Sequence, residues 1–153
     1  ESSYAAVRMP SGEMRYIISM IKVAYIFERA ADKVKNSVKR LCRVPSPLPA
    51  ELRGLLESMI DVSAQMLKDT PPLLDSYAPE AMEAIAALKK TVSQYQKQAI
   101  AVAQQLPADR FTAEQVSDIH FVVRNIERIS DLMLDLAKVG YFISTGKKFE
   151  RLS

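Results

Sequence analysis

The 153-residue chain is 48% hydrophobic and 25% charged, with 4 glycines and no tryptophan, a balance that fits one globular domain rich in helix formers. Its net charge of +3 comes from 21 basic and 18 acidic residues that alternate along the chain, without the basic, aromatic-interleaved stripe of a nucleic-acid surface, so nucleic acid is excluded as a partner. A single cysteine, Cys42, cannot close an intrachain disulfide, and there is neither a signal pattern nor an apolar run near the roughly 20 residues of a membrane span. A soluble, cytoplasmic, all-α protein is expected.

The opening ESSYAAVRMPSG reads as a cut into a longer protein, with Tyr4, Ala5 and Val7 suited to the end of an incoming helix. Pro10-Ser11-Gly12-Glu13 is a start signal with Ser11 as N-cap, and Ile17, Ile18, Ile21, Ala24, Ile26, Phe27, Ala31, Val34 and Val38 follow at helical spacing as the expected buried stripe of a helix over Ser11–Arg43. Lys33, Lys35, Lys39, Arg40 and Arg43 crowd its last turns. They read as a solvated helix end favoured by the helix dipole, the alternative being a contact for an acidic partner or peripheral association with an anionic membrane surface. Val44-Pro45-Ser46-Pro47-Leu48-Pro49 stops the helix.

A second helix is predicted from Ala50, burying Leu52, Leu55, Leu56, Met59, Ile60, Ala64 and Leu67, until Pro71-Pro72 breaks or kinks it. Whether Leu73-Leu74-Asp75 resumes the helix is open. A third is predicted over Pro79–Leu106, with Pro79 in its first turn and Ala81, Ile85, Leu88, Val92, Tyr95, Ile100 and Ala103 inward. The fourth starts on a capping box, Thr112-Ala113-Glu114-Gln115, and ends at Ser144-Thr145-Gly146 with Gly140 tolerated inside. Its apolar face is the widest, with Val116, Ile119, Val123, Ile126, Met133, Ala137 and Tyr141 broadened by Val122, Ile129 and Leu136, which makes it central to an antiparallel up-down bundle.

Two stretches repeat. Lys22–Asn36 and Phe121–Asp135 superpose Glu28 on Glu127, Asp32 on Asp131 and Arg29 on Arg128. In each, carboxylates at i and i+4 share a helix face, inside the polar lines Tyr25, Glu28, Asp32, Asn36 and His120, Arg124, Glu127, Asp131, Asp135. Like charges so placed call for a cation: a carboxylate-bridged iron, zinc or manganese site inside the bundle, an internal ion pair with the arginines at the flank, or simply a solvent-facing line. His120 is the only histidine, and no nucleophile or glycine-rich loop accompanies it. No catalytic residue is expected, and the methionines read as core filling.

The segment FVVRNIERISDLMLDLAKVGYFISTGKKFERL resembles the last helix of PhoU-type phosphate-uptake regulators, with their ERIGDH-like run, Tyr-containing turn and TG tail. MPSGEMRYIISMIKVAYIFERAADKVKN is similar to the third helix of that family's first repeat, and the region between fits in order and length. The resemblance implies two three-helix repeats, of which residues 1–44 hold only the last helix of the first and residues 45–153 the whole second. It also implies a cytoplasmic, non-enzymatic protein that lowers phosphate uptake through the ABC-transporter ATPase and restrains a phosphate-sensing histidine kinase. Glu28, Asp32, Glu127 and Asp131 match the family's metal-binding E-x-x-x-D carboxylates, whereas the partner positions on the middle helix are Lys89 and Ser93. A lysine there would neutralise Glu127 and Asp131 directly, so no cofactor is expected. The incomplete repeat and long amphipathic helices favour a homodimer. The alternatives are a PhoU-like regulatory domain of a larger membrane phosphate transporter and a carboxylate-bridged metal-binding bundle.

Overall fold

The computed structural model describes residues 11–147 and 149. Tyr4, Ala5, Val7 and the Pro10 start signal lie outside the described residues. Proline-bearing links divide the rest into α1 (Ser11–Leu41), α2 (Ala50–Asp69), α3 (Pro79–Ala103) and α4 (Ala113–Thr145), and the chain is all-α. Each link works by removing backbone donors. Pro49 ends the run after α1, where the Ser46–Pro47 bond is cis, and Pro79 opens α3 at a position whose N–H has no helical partner. Pro71–Leu74 neither resumes the α-helix nor leaves it, but tightens into a 3₁₀ turn.

The capping box forms as expected. Thr112 Oγ1 accepts from Gln115 N at 3.2 Å and Thr112 N donates to Gln115 Oε1 at 3.0 Å. At the other end Gly146 adopts φ 71°, and its N–H donates to the Phe142 carbonyl at 2.9 Å.

α4 is the axis of the fold and touches α1, α2, α3 and the 3₁₀ turn. Leu52, Met59, Ile85, Val92, Ile119 and Met133 form the centre of a core between α2, α3 and α4. Gly140 is required by this packing rather than tolerated: a Cβ there would stand 2.3 Å from the Leu73 carbonyl oxygen, so the 3₁₀ turn can approach α4 only over a glycine.

α1 packs principally on α4 and runs antiparallel to it, Arg15 donating to the Ile143 carbonyl at one end and Arg40 pairing with Asp118 at the other. The expected buried stripe of α1 is therefore corrected. Only Ile26 of that set is buried, together with Ser19, Ala30 and Ser37, whereas Ile17, Ile18, Ile21, Phe27, Val34 and Val38 stay exposed. A helix with one neighbour buries one narrow strip however wide its apolar arc. Ile60, Ala64 and Leu67 of α2 also stay outward, on the side toward α1, because α2 buries the faces it turns to α3 and α4, with Ser63 and Met66 inside instead.

Candidate functional site

The second of the two repeated carboxylate pairs lies where α4 meets α3. Glu127 and Asp131 stand one turn apart on α4, and Lys89 reaches them from α3. Its Nζ donates to Glu127 Oε1 at 2.5 Å and lies 3.0 Å from Asp131 Oδ1. A third bond goes to Ser93 Oγ, one turn along α3, at 2.9 Å. The Lys89 and Glu127 side chains are 18% and 15% exposed and that of Asp131 39%, so the pair sits at the edge of the core rather than in it. Burial pushes the Lys89 ammonium down, but hydrogen bonds and charge from Glu127 and Asp131 outweigh it, leaving its pKa above the ordinary 10.5.

The ammonium bonds one oxygen of each carboxylate at once, so this donor set does not fit a metal while Lys89 is in place. The cation that the like-charged pair demands comes from α3, not from Arg128 on its flank. The polar line around the pair does not run through the interior either, since Arg124 and Asp135 are exposed. His120 is half-buried, and its Nε2 has no hydrogen-bond partner among the described residues.

The first pair is differently placed. Tyr25, Glu28, Asp32 and Asn36 are all exposed on α1, and Arg29 turns back on Tyr25, its Nη1 3.3 Å from the hydroxyl and its guanidinium 5.4 Å from the ring centroid. The four carboxylates singled out by the repeat thus do not share one site. Among the described residues no three His, Cys, Asp or Glu side chains group as a metal site.

A second ion pair was not visible as a site in the sequence. Asp118 is fully buried, and Arg40 bonds its Oδ1 at 2.5 Å while stacking 4.7 Å over the Phe121 ring. Arg43 adds a long contact to Glu114 at 3.9 Å, and its carbonyl accepts from Gln115 Nε2 at 3.1 Å. The basic end of α1 is therefore only partly a solvated helix end: antiparallel packing brings it to the acidic first turns of α4. Two turns further along α4, Asn125 Nδ2 donates to Ser37 Oγ at 3.2 Å, and Ser37 Oγ to the Lys33 carbonyl at 2.8 Å. A polar ladder holds α1 to α4. The signal for it was an aspartate and an asparagine set among Ile119, Val122 and Ile126 on the apolar arc of α4.

A family model described as "PhoU domain" matches residues 56–139, which include Lys89, Glu127 and Asp131. A Rhizobium meliloti (strain 1021) protein named "Phosphate-specific transport system accessory protein PhoU homolog" is 27% identical over 144 residues, covering 92% of this chain and 61% of that protein. A Zymomonas mobilis protein of the same name is 26% identical over 148 residues, covering 94% of this chain and 61% of that protein. One from Caulobacter vibrioides is 25% identical over 150 residues, covering 94% and 64%. The chain thus spans less than two thirds of the length of these curated relatives. No solved structure gives a significant match.

Proposed function

The chain belongs to the PhoU domain family, and from that premise we propose that it is a non-enzymatic, cytoplasmic regulator of phosphate uptake. It restrains an ABC-type phosphate transporter and phosphate-regulon signalling by docking on the transporter ATPase and on the phosphate-sensing histidine kinase. The observation that carries this reading is alignment over more than nine-tenths of the chain with proteins named as accessory to phosphate-specific transport. The exposed helical faces suit a protein that works by contact. No helix among the described residues is long and apolar enough to cross a membrane. Pull-down with the purified transporter ATPase and with the kinase tests the reading. Retention of at least one is expected, and retention of neither refutes it.

In this reading the carboxylates of the second repeat serve structure, with Lys89 standing where other members of the family would hold a metal. The chain purified without chelator is expected to carry no stoichiometric iron, zinc or manganese. Lys89→Glu, which frees Glu127 and Asp131 and adds a third carboxylate, is expected to gain divalent-metal affinity. Stoichiometric metal in the unmutated protein would overturn the assignment.

A further inference from the structure

Between the N-terminal third of α1 and the last turns of α4 lies a cleft of about 580 Å³, a volume typical of small-ligand sites. Its two ends differ. The antiparallel register that sets Arg15 beside Ile143 and Arg40 beside Asp118 brings Lys22 level with Asp135 and Lys138, and Ile18 level with Phe142. One end is therefore charged. The other is apolar, with Phe149 lining it and packing edge-on against Tyr141 at 5.3 Å. Ser19 and Val139, both buried, lie between the two ends. Ser19 is only 2% exposed, and its hydroxyl oxygen has no hydrogen-bond partner among the described residues, whereas buried hydroxyls ordinarily have one.

We propose that this cleft binds a single-chain amphiphilic carboxylate of the fatty-acid class, its headgroup held between Lys22 and Lys138 and its chain running along the two helices toward Phe149. The proposal stands apart from the transport reading. Charge is its first support. Asp135 Oδ1 holds Lys138 Nζ at 2.9 Å, and Lys22 makes no ion pair among the described residues, so two lysines and one aspartate leave a single positive charge. That charge matches a monoanion. A bare inorganic anion would leave Ile18, Val139, Phe142 and Phe149 uncovered, and the roughly 10 Å of helix between Asp135 and Phe142 favours an elongated molecule.

The internal repeat supplies the second support. The superposition that lays Glu28 on Glu127 also lays Ser19 on Asp118, Lys22 on Phe121 and, at the other helix, Arg40 on Val139. In the matching groove Arg40 bonds the buried Asp118 and stacks over Phe121, so protein side chains fill it. Here the acid has become an orphan serine and the arginine a valine, and the space stays open.

The same superposition shows that this flank of α1 is not one that helices of a first repeat would cover. α2 and α3 pack on the side of α4 that bears Ile126, Glu127 and Met133, whose counterparts on α1 are Phe27, Glu28 and Val34. Ile18 and Lys22 correspond instead to Ser117 and Phe121, which α2 and α3 leave exposed and half-buried.

Calorimetric titration of the 153-residue chain with sodium dodecanoate, below its micellar concentration, tests this. One saturable site is expected, binding dodecanoate at least about tenfold more tightly than octanoate because four further methylenes are covered. Inorganic phosphate should bind far more weakly. Lys22→Gln and Lys138→Gln should each weaken dodecanoate at least about fivefold, as loss of a charge-assisted hydrogen bond does, with helical spectra unchanged. Two controls should bind as the unmutated chain does. Lys35→Gln removes an exposed lysine outside the cleft, and Phe27→Ser interrupts the exposed apolar side of α1. Absence of saturable binding, phosphate binding as tight as dodecanoate, or either control weakening binding as much as Lys22→Gln overturns the proposal.

Discussion

Replacing Lys89 with methionine removes the ammonium while keeping most of the volume of its stem. Glu127, with a side chain only 15% exposed, then loses its cation, and Asp131, 39% exposed, retains water. Breaking a fully buried pair costs about 3–5 kcal/mol, while exposed pairs are worth under about 1. This half-buried arrangement falls between them, at about 1–3 kcal/mol, or a fall in Tm of roughly 3–10 °C for a chain of this length. Thermal and urea unfolding of Lys89→Met, Glu127→Gln and the double variant measure it. The double variant should be more stable than the sum of the single changes predicts, with a coupling of at least about 1 kcal/mol. The effect also has a pH signature. The folded state raises the Lys89 pKa above 10.5, so the contribution is complete below that value and is lost only as pH rises through the higher folded one. On the alkaline side the stability gap between wild type and Lys89→Met should therefore stay flat from neutral pH upward and shrink only in strong alkali. A coupling near zero, or a gap that closes between neutral pH and the ordinary lysine pKa, would refute the reasoning.

Gly140→Ala should destabilise the fold by about 1–3 kcal/mol because its Cβ would meet the Leu73 carbonyl, whereas Gly54→Ala, with open space around it, should stabilise by about 0.5–1 kcal/mol; paired melting curves check the contrast. Arg40→Met strands a fully buried Asp118, and amide exchange should show α1 loosening from α4 at a cost of about 2–4 kcal/mol. Thr112→Ala removes the side-chain half of the capping box and should cost about 0.5–2 kcal/mol by urea unfolding, with Thr112→Ser close to wild type.

Helix number and the main stops were legible because their causes are local. Three prolines within Pro45–Pro49, the pair Pro71-Pro72 and the capping box at Thr112 act on neighbouring backbone groups whatever the rest of the chain does. Boundaries set by fraying were less so: α3 closes at Ala103 rather than Leu106, and α1 at Leu41 rather than Arg43. The fate of Leu73-Leu74 depended on Gly140, 67 residues away, whose missing side chain admits the 3₁₀ turn.

The paired carboxylates show the same division. Their i, i+4 spacing placed Glu127 with Asp131 and Glu28 with Asp32, since helix geometry alone stacks such residues. The identity of the facing lysine followed from the resemblance, and the bonds from Lys89 to both carboxylates are as that position implied. What periodicity could not supply was which side of each helix meets a neighbour. An apolar arc shows that a helix has a face to bury, not how many helices there are to bury it against. The sequence by itself determined an all-helical chain, its breaks and its stacked charges, because these are one-helix properties. Only the tertiary structure decided that α1 has a single neighbour, that Arg40 holds a buried aspartate, and that one carboxylate pair faces a lysine while its copy faces solvent, because those depend on residues far apart in the chain meeting in space.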